Sequence, residues 1–526
     1  MTFHRREVLG SFGFASASTL LWALGCGTHA PAVRRAPQAS GEVRTWLHDA
    51  VARLASTYPT VHALAVSRRR TTAAIDVLGS GVGRLRADGV VLTVRGRDGT
   101  WREHVTSELT GPGIEAAATA LDAPRQHKSL DFGRPPPTPD EPPRIDDLDL
   151  RHRTELLLSR DARLSSRIVY AAALIDIDDA TVWSVAPGRD LEQRLVRIRQ
   201  AATRAAWNGT RPVVREIEHA WSGRLDDQPL TPDELAATSQ AALELMTPGS
   251  FDDGERTVVL DPSVVAILLD TVASALLTTA AARRPEAAGR TAGPAAAASA
   301  ASGSAASGLA AFGSAAAGPP ASGLAAFGSA ASGPAAAAGA ALASPLITLV
   351  DDPTAPHAYG GFAFDDEGEL AAPITLLDAG RVAAQLSDHA AGGAGRGRRP
   401  GHLARVEPAS SHLQLVPGTL ETRELYVDGF ILEGGRGATY DPGTDRVRIA
   451  CAHARELRAG NTTGRIYADV ELVGSLTALL SAVDAIARDP ATFALSPSAD
   501  RDPRWRSIST PALRTRGLVR ARRSRA

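Results

Sequence analysis

Apolar residues follow helical and strand periods along most of this chain, but one stretch is apolar almost without interruption. Thr257-Val-Val-Leu260 is a short run suited to a buried strand. Asp261 and Pro262 follow, an N-cap residue and a proline at the first helical position. From Val264 to Leu277 the sole charged side chain is Asp270. A helix that is apolar on most faces is buried on most faces. Asp270 is therefore either a paired structural carboxylate or part of a site.

Residues 41–245 mix helix and strand patterns. Val43, Trp46, Leu47, Ala50, Val51 and Leu54 predict a helix over 41–57, and Val61–Val66 a strand. Gly89–Val94 and Thr100–Val105 predict a hairpin around Arg97-Asp98-Gly99, and Gly113–Leu121 a helix. Arg167–Asp176 and Ala180–Val185 predict a second hairpin turning at Asp178-Asp179. Leu191–Ala206 predicts a helix with Leu195, Ile198 and Ala202 inward and its arginines outward. A strand at Val213–Ile217 and a helix at Pro232–Leu245, started by Thr231, complete this part.

Beyond the central strand and helix (246–282), residues 344–495 are rich in strands and turns. Strands are predicted at Leu346–Val350, Gly360–Phe364, Ile374–Leu377, Val382–Leu386 and His412–Val416, with a helix from about Thr422. Phe430–Glu433, Thr439–Tyr440, Val447–Ala452, Ala454–Leu457 and Ile466–Leu472 follow, and a helix at Leu476–Ile486 closes the domain. The fold class is α+β: a mixed α/β N-terminal domain, then a predominantly antiparallel β-rich C-terminal domain.

Several segments fall outside any packing pattern. Residues 283–343 are an Ala/Gly/Ser/Pro insert in which Ala306–Ala316 is repeated identically as Ala321–Ala331, and too little apolar bulk remains to order it. Residues 133–144 form a proline-rich surface loop. Residues 1–26 join a basic start to an apolar run of about 16 residues, an export signal too short to span a bilayer. Arg5-Arg6 resembles the twin-arginine type, and Ala23-Leu24-Gly25-Cys26 resembles a lipobox that would acylate Cys26. Cleavage near Gly27–Ala32 is the alternative, and either way 27–40 is a tether to a periplasmic or membrane-anchored protein. Residues 496–526 read as a basic tail, with nine arginines against Asp502 from 501 onward, solvated or held against anionic lipid.

With 526 residues the chain has room for two or more domains. Its formal net charge of −1 argues against nucleic acid as a partner. Two cysteines, Cys26 and Cys451, exclude a disulfide framework or a cysteine-rich metal cluster. Glu216 and His219 stand at a spacing that can serve a metal, but no second pair accompanies them, so a structural pair is expected. His127 and His152 are isolated. Asp351, Asp352, Asp365, Asp366 and Glu367 fit turn chemistry better than calcium, with Gly368 supplying a positive φ.

Ile347-Thr-Leu-Val-Asp-Asp-Pro-Thr354, Tyr359-Gly-Gly-Phe-Ala-Phe-Asp-Asp-Glu-Gly368, Leu377-Asp-Ala-Gly-Arg381 and Ser411-His-Leu-Gln-Leu-Val-Pro-Gly418 with Glu424-Leu425 resemble the TldD/PmbA (TldE) family. The resemblance covers about 245–490 well and the N-terminal half loosely. It implies an α/β domain followed by a β-rich one. In the TldD branch it also implies a zinc peptidase whose helix carries His-Glu-x-x-x-His, completed by a late cysteine, with the Glu activating the metal-bound water. On that alignment the first His falls at Asp270, the Glu at Thr271 and the second His at Ala275, and no cysteine lies in 489–505. Cys451 comes too early and reads as a buried small hydrophobe.

The resemblance therefore implies a non-catalytic PmbA-like subunit or pseudo-peptidase without zinc, working on peptides or unfolded protein beside a TldD-like metallopeptidase. Two alternatives stay open. One is a hydrolase with a relocated site using Asp270 with His357, His389, His402 or His412. The other is a lipid-anchored binding or scaffold protein.

Overall fold

A computed structural model describes residues 40–76, 79–122, 145–159, 167–209, 212–246, 248–249, 251–279, 337–389, 396–399, 406–495 and 505–521. The export segment with Arg5, Arg6 and Cys26, the tether to residue 39, the proline-rich loop and the insert from 283 to 336 lie outside these residues, as do His127 and His402.

Six strands form the first sheet: β1 (Thr60–Asp76), β2 (Gly79–Arg95), β3 (Trp101–Thr106), β4 (Ile168–Ala186), β5 (Arg189–Trp207) and β6 (Pro212–Ser222). They pair antiparallel in the order β3-β2-β1-β4-β5-β6. Alternate residues separate its two faces. Ala63 and Ala65 of β1 meet the helices Ser40–Ala55 and Gly111–Asp122, through Leu47, Leu54, Ile114 and Ala118. Leu64 and Val66 turn the other way, with Val182 of β4, onto Phe364 of the C-terminal half. Helices Ile145–Ser159 and Pro232–Glu244 cover the rest of the helical face through Leu150, Leu157 and Leu235.

Two predicted elements are corrected here. Leu191–Ala206 is not a helix but the body of β5, and its arginines are not outward: Arg197, Arg199 and Arg204 are buried. Both faces of β5 are covered along most of its length, so the alternation that marks a half-exposed strand disappears and the alanines suggest a helix. Asp178-Asp179 is no turn either; β4 runs straight through it and the chain reverses at Pro187-Gly188, where Gly188 has φ +74°. Cross-strand arginines hold these carboxylates in mid-strand: Arg70 holds Asp176 at 2.8 Å and Arg194 holds Asp179 at 2.8 Å. The helix Ile145–Ser159 has no counterpart among the predicted elements.

The chain then enters β7 (Gly254–Leu260) and the central helix, Pro262–Ala275. The C-terminal strands are β8 (Leu349–Asp351), β9 (Ile374–Asp378), β10 (Arg381–Val382), β11 (Gly397–Arg398), β12 (Glu407–Pro408), β13 (His412–Leu415), β14 (Gly429–Asp441), β15 (Arg446–Arg458), β16 (Asn461–Ser475), β17 (Ala485–Ile486), β18 (Ala491–Ala494), β19 (Ser507–Thr510) and β20 (Leu513–Ala521). They build one sheet of order β10-β9-β8-β13-β19-β18 and another of order β16-β15-β14-β7-β20-β17.

The central helix lies between these two sheets. Val264, Leu268, Leu269 and Val272 share one core with Leu349, Leu413 and Ile508 of the first and with Leu432, Ile449 and Leu472 of the second. Further expectations give way: Gly360–Phe364 holds only a lone bridge at Phe364, and Val382–Leu386 is strand only at Val382 with a lone bridge at Leu386. The helix at Leu476 ends at Ser481 and Ala485–Ile486 is strand. Val447–Ala452 and Ala454–Leu457 are one strand, β15. Ser507–Thr510 and Leu513–Ala521 are not tail but sheet, β20 pairing with β7 along Leu513–Val519, its arginines alternating with buried Leu513, Thr515 and Val519. Among the described residues no helix is long and apolar enough to cross a membrane.

Candidate functional site

The central helix starts as its sequence dictates. Asp261 Oδ1 accepts from the Val264 N–H at 2.8 Å and from Ser263 Oγ at 2.7 Å, while Oδ2 accepts from the Gly434 N–H at 3.0 Å. Burial pushes the Asp261 carboxyl up, and these three donors oppose the shift. Two turns further on stands Asp270. Arg506 Nη1 donates to its Oδ1 at 2.7 Å, and both side chains are largely buried, 14% and 9% exposed. Thr271 Oγ1 donates to the carbonyl of Ile267 at 2.8 Å, and Ala275 is fully buried in the core.

These three residues do not fit a zinc ion. A carboxylate already closed onto a guanidinium, a hydroxyl bonded within its own helix and a methyl group provide neither the nitrogen and sulfur ligands nor a general base. Among the described residues no group of three or more His, Cys, Asp or Glu is placed to hold a metal.

The residue before Arg506 leads to a second cluster. Trp505 lies under two guanidiniums, Arg68 at 4.1 Å and Arg197 at 4.5 Å from the ring centre. Both arginines belong to the face of the first sheet that meets the C-terminal half. That face is written at every second position: Leu64, Val66 and Arg68 on β1, Asp178, Ala180 and Val182 on β4, Gln193, Leu195 and Arg197 on β5. Asp178 sits between Arg68 Nε, 3.4 Å away, and Arg197 Nη1, 3.8 Å away, and neither of its oxygens is hydrogen-bonded. Burial raises the Asp178 carboxyl against the pull of the two arginines. Burial also lowers Arg197 to about 10, which leaves it charged at neutral pH.

Opposite this face come Phe362, Phe364, Asp366, Arg398 and Arg399. Arg398 stacks on Phe362 at 4.6 Å and reaches Asp366 at 3.8 Å; Arg399 pairs with Glu103 at 2.9 Å. Together the two sides enclose a cavity of about 30 Å³.

The other singled-out residues are dispersed. Asp351, fully buried, accepts from Arg396 Nε at 2.5 Å and from the Ser411 and His412 N–H groups at 2.8 and 3.0 Å. Asp352 caps Thr354, and Asp365 accepts from the N–H groups of Glu367, Glu369 and Gly397. Asp366 accepts from the Arg399 N–H and Glu367 from the His389 N–H, and Gly368 has φ +81°. Glu216 accepts from Thr203, whereas His219 reaches Glu234 at 3.0 Å, so the two do not converge. His152 is exposed on its helix.

His357 bonds the Ser222 carbonyl, His389 bonds Glu369 and His412 bonds Ser507 Oγ, so their hydrogen bonds go elsewhere than Asp270. Cys451 is buried in β15, its thiol pushed up by burial. Arg68, Arg197, Arg398 and Trp505 are not among the candidate site residues of the sequence, and Asp178 reads there as a turn residue. The signal was there: charges at period two within apolar runs, Arg68/Arg70, Asp176/Asp178 and Arg197/Arg199.

The architecture is thus a helix held between two β-sheets, beside a separate six-stranded sheet with helices on one face. Residues 306–521 match the PmbA/TldA metallopeptidase C-terminal domain. A metalloprotease of Methanocaldococcus jannaschii is 28% identical over 157 residues, 28% of this chain and 34% of that protein. The matched stretch thus spans about a third of the curated relative's length. Among solved structures, a Thermotoga maritima protein described as a modulator of a DNA gyrase superposes with a TM-score of 0.64 at 14% identity, covering 91% of this chain and 100% of that one. TldE from Thermococcus kodakarensis superposes with a TM-score of 0.62 at 14% identity, over 91% and 100%. A Bacteroides thetaiotaomicron protein given the same description as the Thermotoga maritima one gives 0.62 at 13%, over 92% and 100%. At such identities the structures share the fold. The sequence match over residues 306–521 and the shared fold thus agree on the TldD/PmbA family as what this chain resembles.

Proposed function

We propose that this chain is an exported, non-catalytic TldE-like member of the family. In this reading it binds peptides or unfolded protein segments and assists a metal-bearing TldD-like partner in proteolysis. The observation that carries the reading is the ion pair between Asp270 and Arg506 at the position where the resemblance puts the first metal-binding histidine. A guanidinium fills the space a cation would need, and Thr271, in the general-base position, spends its hydroxyl on the carbonyl of Ile267. The basic, apolar start with Arg5-Arg6 and the lipobox-like run to Cys26 support delivery to the periplasmic side, held there by an acyl anchor.

The test is direct. Purified protein dialysed against zinc is expected to bind less than stoichiometric metal and to leave unfolded casein uncut. In the producing organism it is expected to co-purify with a family member bearing an intact His-Glu-x-x-x-His. Stoichiometric zinc together with peptide cleavage by this chain alone would overturn the reading.

A further inference from the structure

The cavity between the first sheet and the C-terminal half is not used by the ion pair at Asp270, and its lining has a definite chemistry. Four guanidiniums, Arg68, Arg197, Arg398 and Arg399, stand around it, and Asp366 is the carboxylate among its lining residues. Asp178 faces it from behind Arg68 and Arg197. The other walls are mostly apolar, Leu64, Val66, Val182, Leu195 and the two phenylalanines among them, and the amide of Gln193 is bonded to the backbone of Ala363 and Phe364. We propose that this is a carboxylate-binding pocket, and that it takes the free C-terminal carboxylate of a bound peptide. The assignment rests on the peptide-binding reading above and adds which end of the peptide is held.

Three features carry it. First, the guanidinium planes are set in advance: Arg68 and Arg197 lie on the Trp505 ring and Arg398 on Phe362. A guanidinium stacked through its face keeps its N–H edge for hydrogen bonds: Arg197 gives Nε and Nη2 to the carbonyls of Tyr359 and Gly361 and Arg398 gives Nη1 to that of Gly360, and the remaining N–H groups can bind a planar anion. Second, donor capacity is left over. The buried Nε of Arg68 has no hydrogen-bond partner, and the distances of 3.4 and 3.8 Å to Asp178 exceed an N–H···O bond. Third, size selects the ligand. A cavity of about 30 Å³ has room for roughly two water-sized groups, which matches the two oxygens of a carboxylate and excludes a whole side chain. The rest of the peptide must then remain outside the cavity.

The experiment uses the full chain and a dye-labelled ten-residue peptide without Asp or Glu, prepared as the C-terminal acid and as the C-terminal amide, with binding read by fluorescence anisotropy. The acid is expected to bind at least about tenfold more tightly, as loss of a charge-assisted bidentate contact implies. Arg398→Gln and, separately, Arg197→Met are expected to bring the ratio of acid to amide affinity close to one. Equal binding of acid and amide by the wild-type chain would overturn the pocket and leave the peptide reading intact, and this comparison does not depend on any variant folding. If neither peptide binds, the peptide reading fails. Calorimetry with acetate and inorganic phosphate then reports on the pocket itself, and binding of those alone would overturn the C-terminal assignment in favour of a small free anion.

Discussion

Asp270 and Asp178 are both carboxylates buried beside arginines, and the fold treats them differently. Asp270 has one partner at 2.7 Å, a direct contact to Nη1 that leaves the Nε of Arg506 without a hydrogen bond. Asp178 has two, neither nearer than 3.4 Å, and both of its oxygens lack hydrogen bonds. The closed pair is what a protein builds where charge must be buried and do nothing more. The loose one leaves both carboxylate oxygens as well as a guanidinium N–H unbonded, a costlier arrangement in the absence of a ligand or water to complete it. Trp505 and Arg506 link the two places through adjacent residues, one stacked under the loose cluster and the other sealing the closed pair.

The largest effect should come from breaking the closed pair on one side. Asp270→Ala leaves Arg506 charged inside the core and should destabilise the protein by about 3–5 kcal/mol in urea unfolding. Replacing both partners, Asp270→Leu with Arg506→Met, should restore most of that loss, because the pair's own net contribution is small once its desolvation is counted. A double variant as unstable as the single one would mean that Arg506 has a further role in the fold.

The same substitution logic at Asp178 should give a different result. Asp178→Asn removes a negative charge that faces the proposed pocket. It should tighten binding of the C-terminal acid by roughly fivefold, about the 1 kcal/mol that one nearby charge is worth, with amide binding unchanged. Unchanged acid affinity would place the bound carboxylate away from Asp178.

The two halves should also respond oppositely to pH. In the C-terminal half, burial alone would raise Glu433, but His453 and Arg455 hold it down to about 2. Its contribution is present above the ordinary carboxylate range and is lost as pH falls toward 2. In the first sheet Glu216 is raised to about 7, by burial foremost. Its contribution is present below the ordinary carboxylate range and is lost as pH rises through about 7. Urea midpoints should therefore fall on both sides of mildly acidic pH. Glu216→Gln should flatten the alkaline limb and leave the acidic limb unchanged, whereas Glu433→Gln should do the reverse.

The sequence disclosed the closed pair's location and missed the loose cluster, for physical reasons. The central helix is a local object: Asp261, Pro262 and an apolar run determine its start and burial without reference to anything distant. The partner of Asp270 is 236 residues away, in a stretch whose arginines resembled a tail. Arg506 itself precedes β19, and the later Arg514, Arg516 and Arg520 alternate along β20 with side chains buried by pairing to β7, a long-range contact that no local period contains. In β5 the buried arginines made the opposite error, since charge within a run of alanines suggests an exposed helix face until a second layer covers it. The turn wrongly placed at Asp178-Asp179 has the same origin: aspartates favour turns unless arginines on both neighbouring strands hold them.

The smallest effect sharpens the comparison from a third carboxylate. Asp261, at the start of the central helix, is buried like the other two but is satisfied by uncharged donors, the N–H groups of Val264 and Gly434 and the hydroxyl of Ser263. It needs acceptor capacity on both oxygens and has no cationic partner among those bonds. Asp261→Asn keeps the bond to Val264 but turns an amide N–H₂ toward the N–H of Gly434, and should cost about 1 kcal/mol. Asp261→Ala, which loses the cap altogether, should cost about 2 kcal/mol. Both lie below the loss expected at Asp270, because no uncompensated charge is left behind. If Asp261→Asn proved as damaging as Asp270→Ala in the same urea series, charge at the helix start would matter as much as the closed pair, and the distinction between carboxylates held by dipoles and by guanidinium would fail.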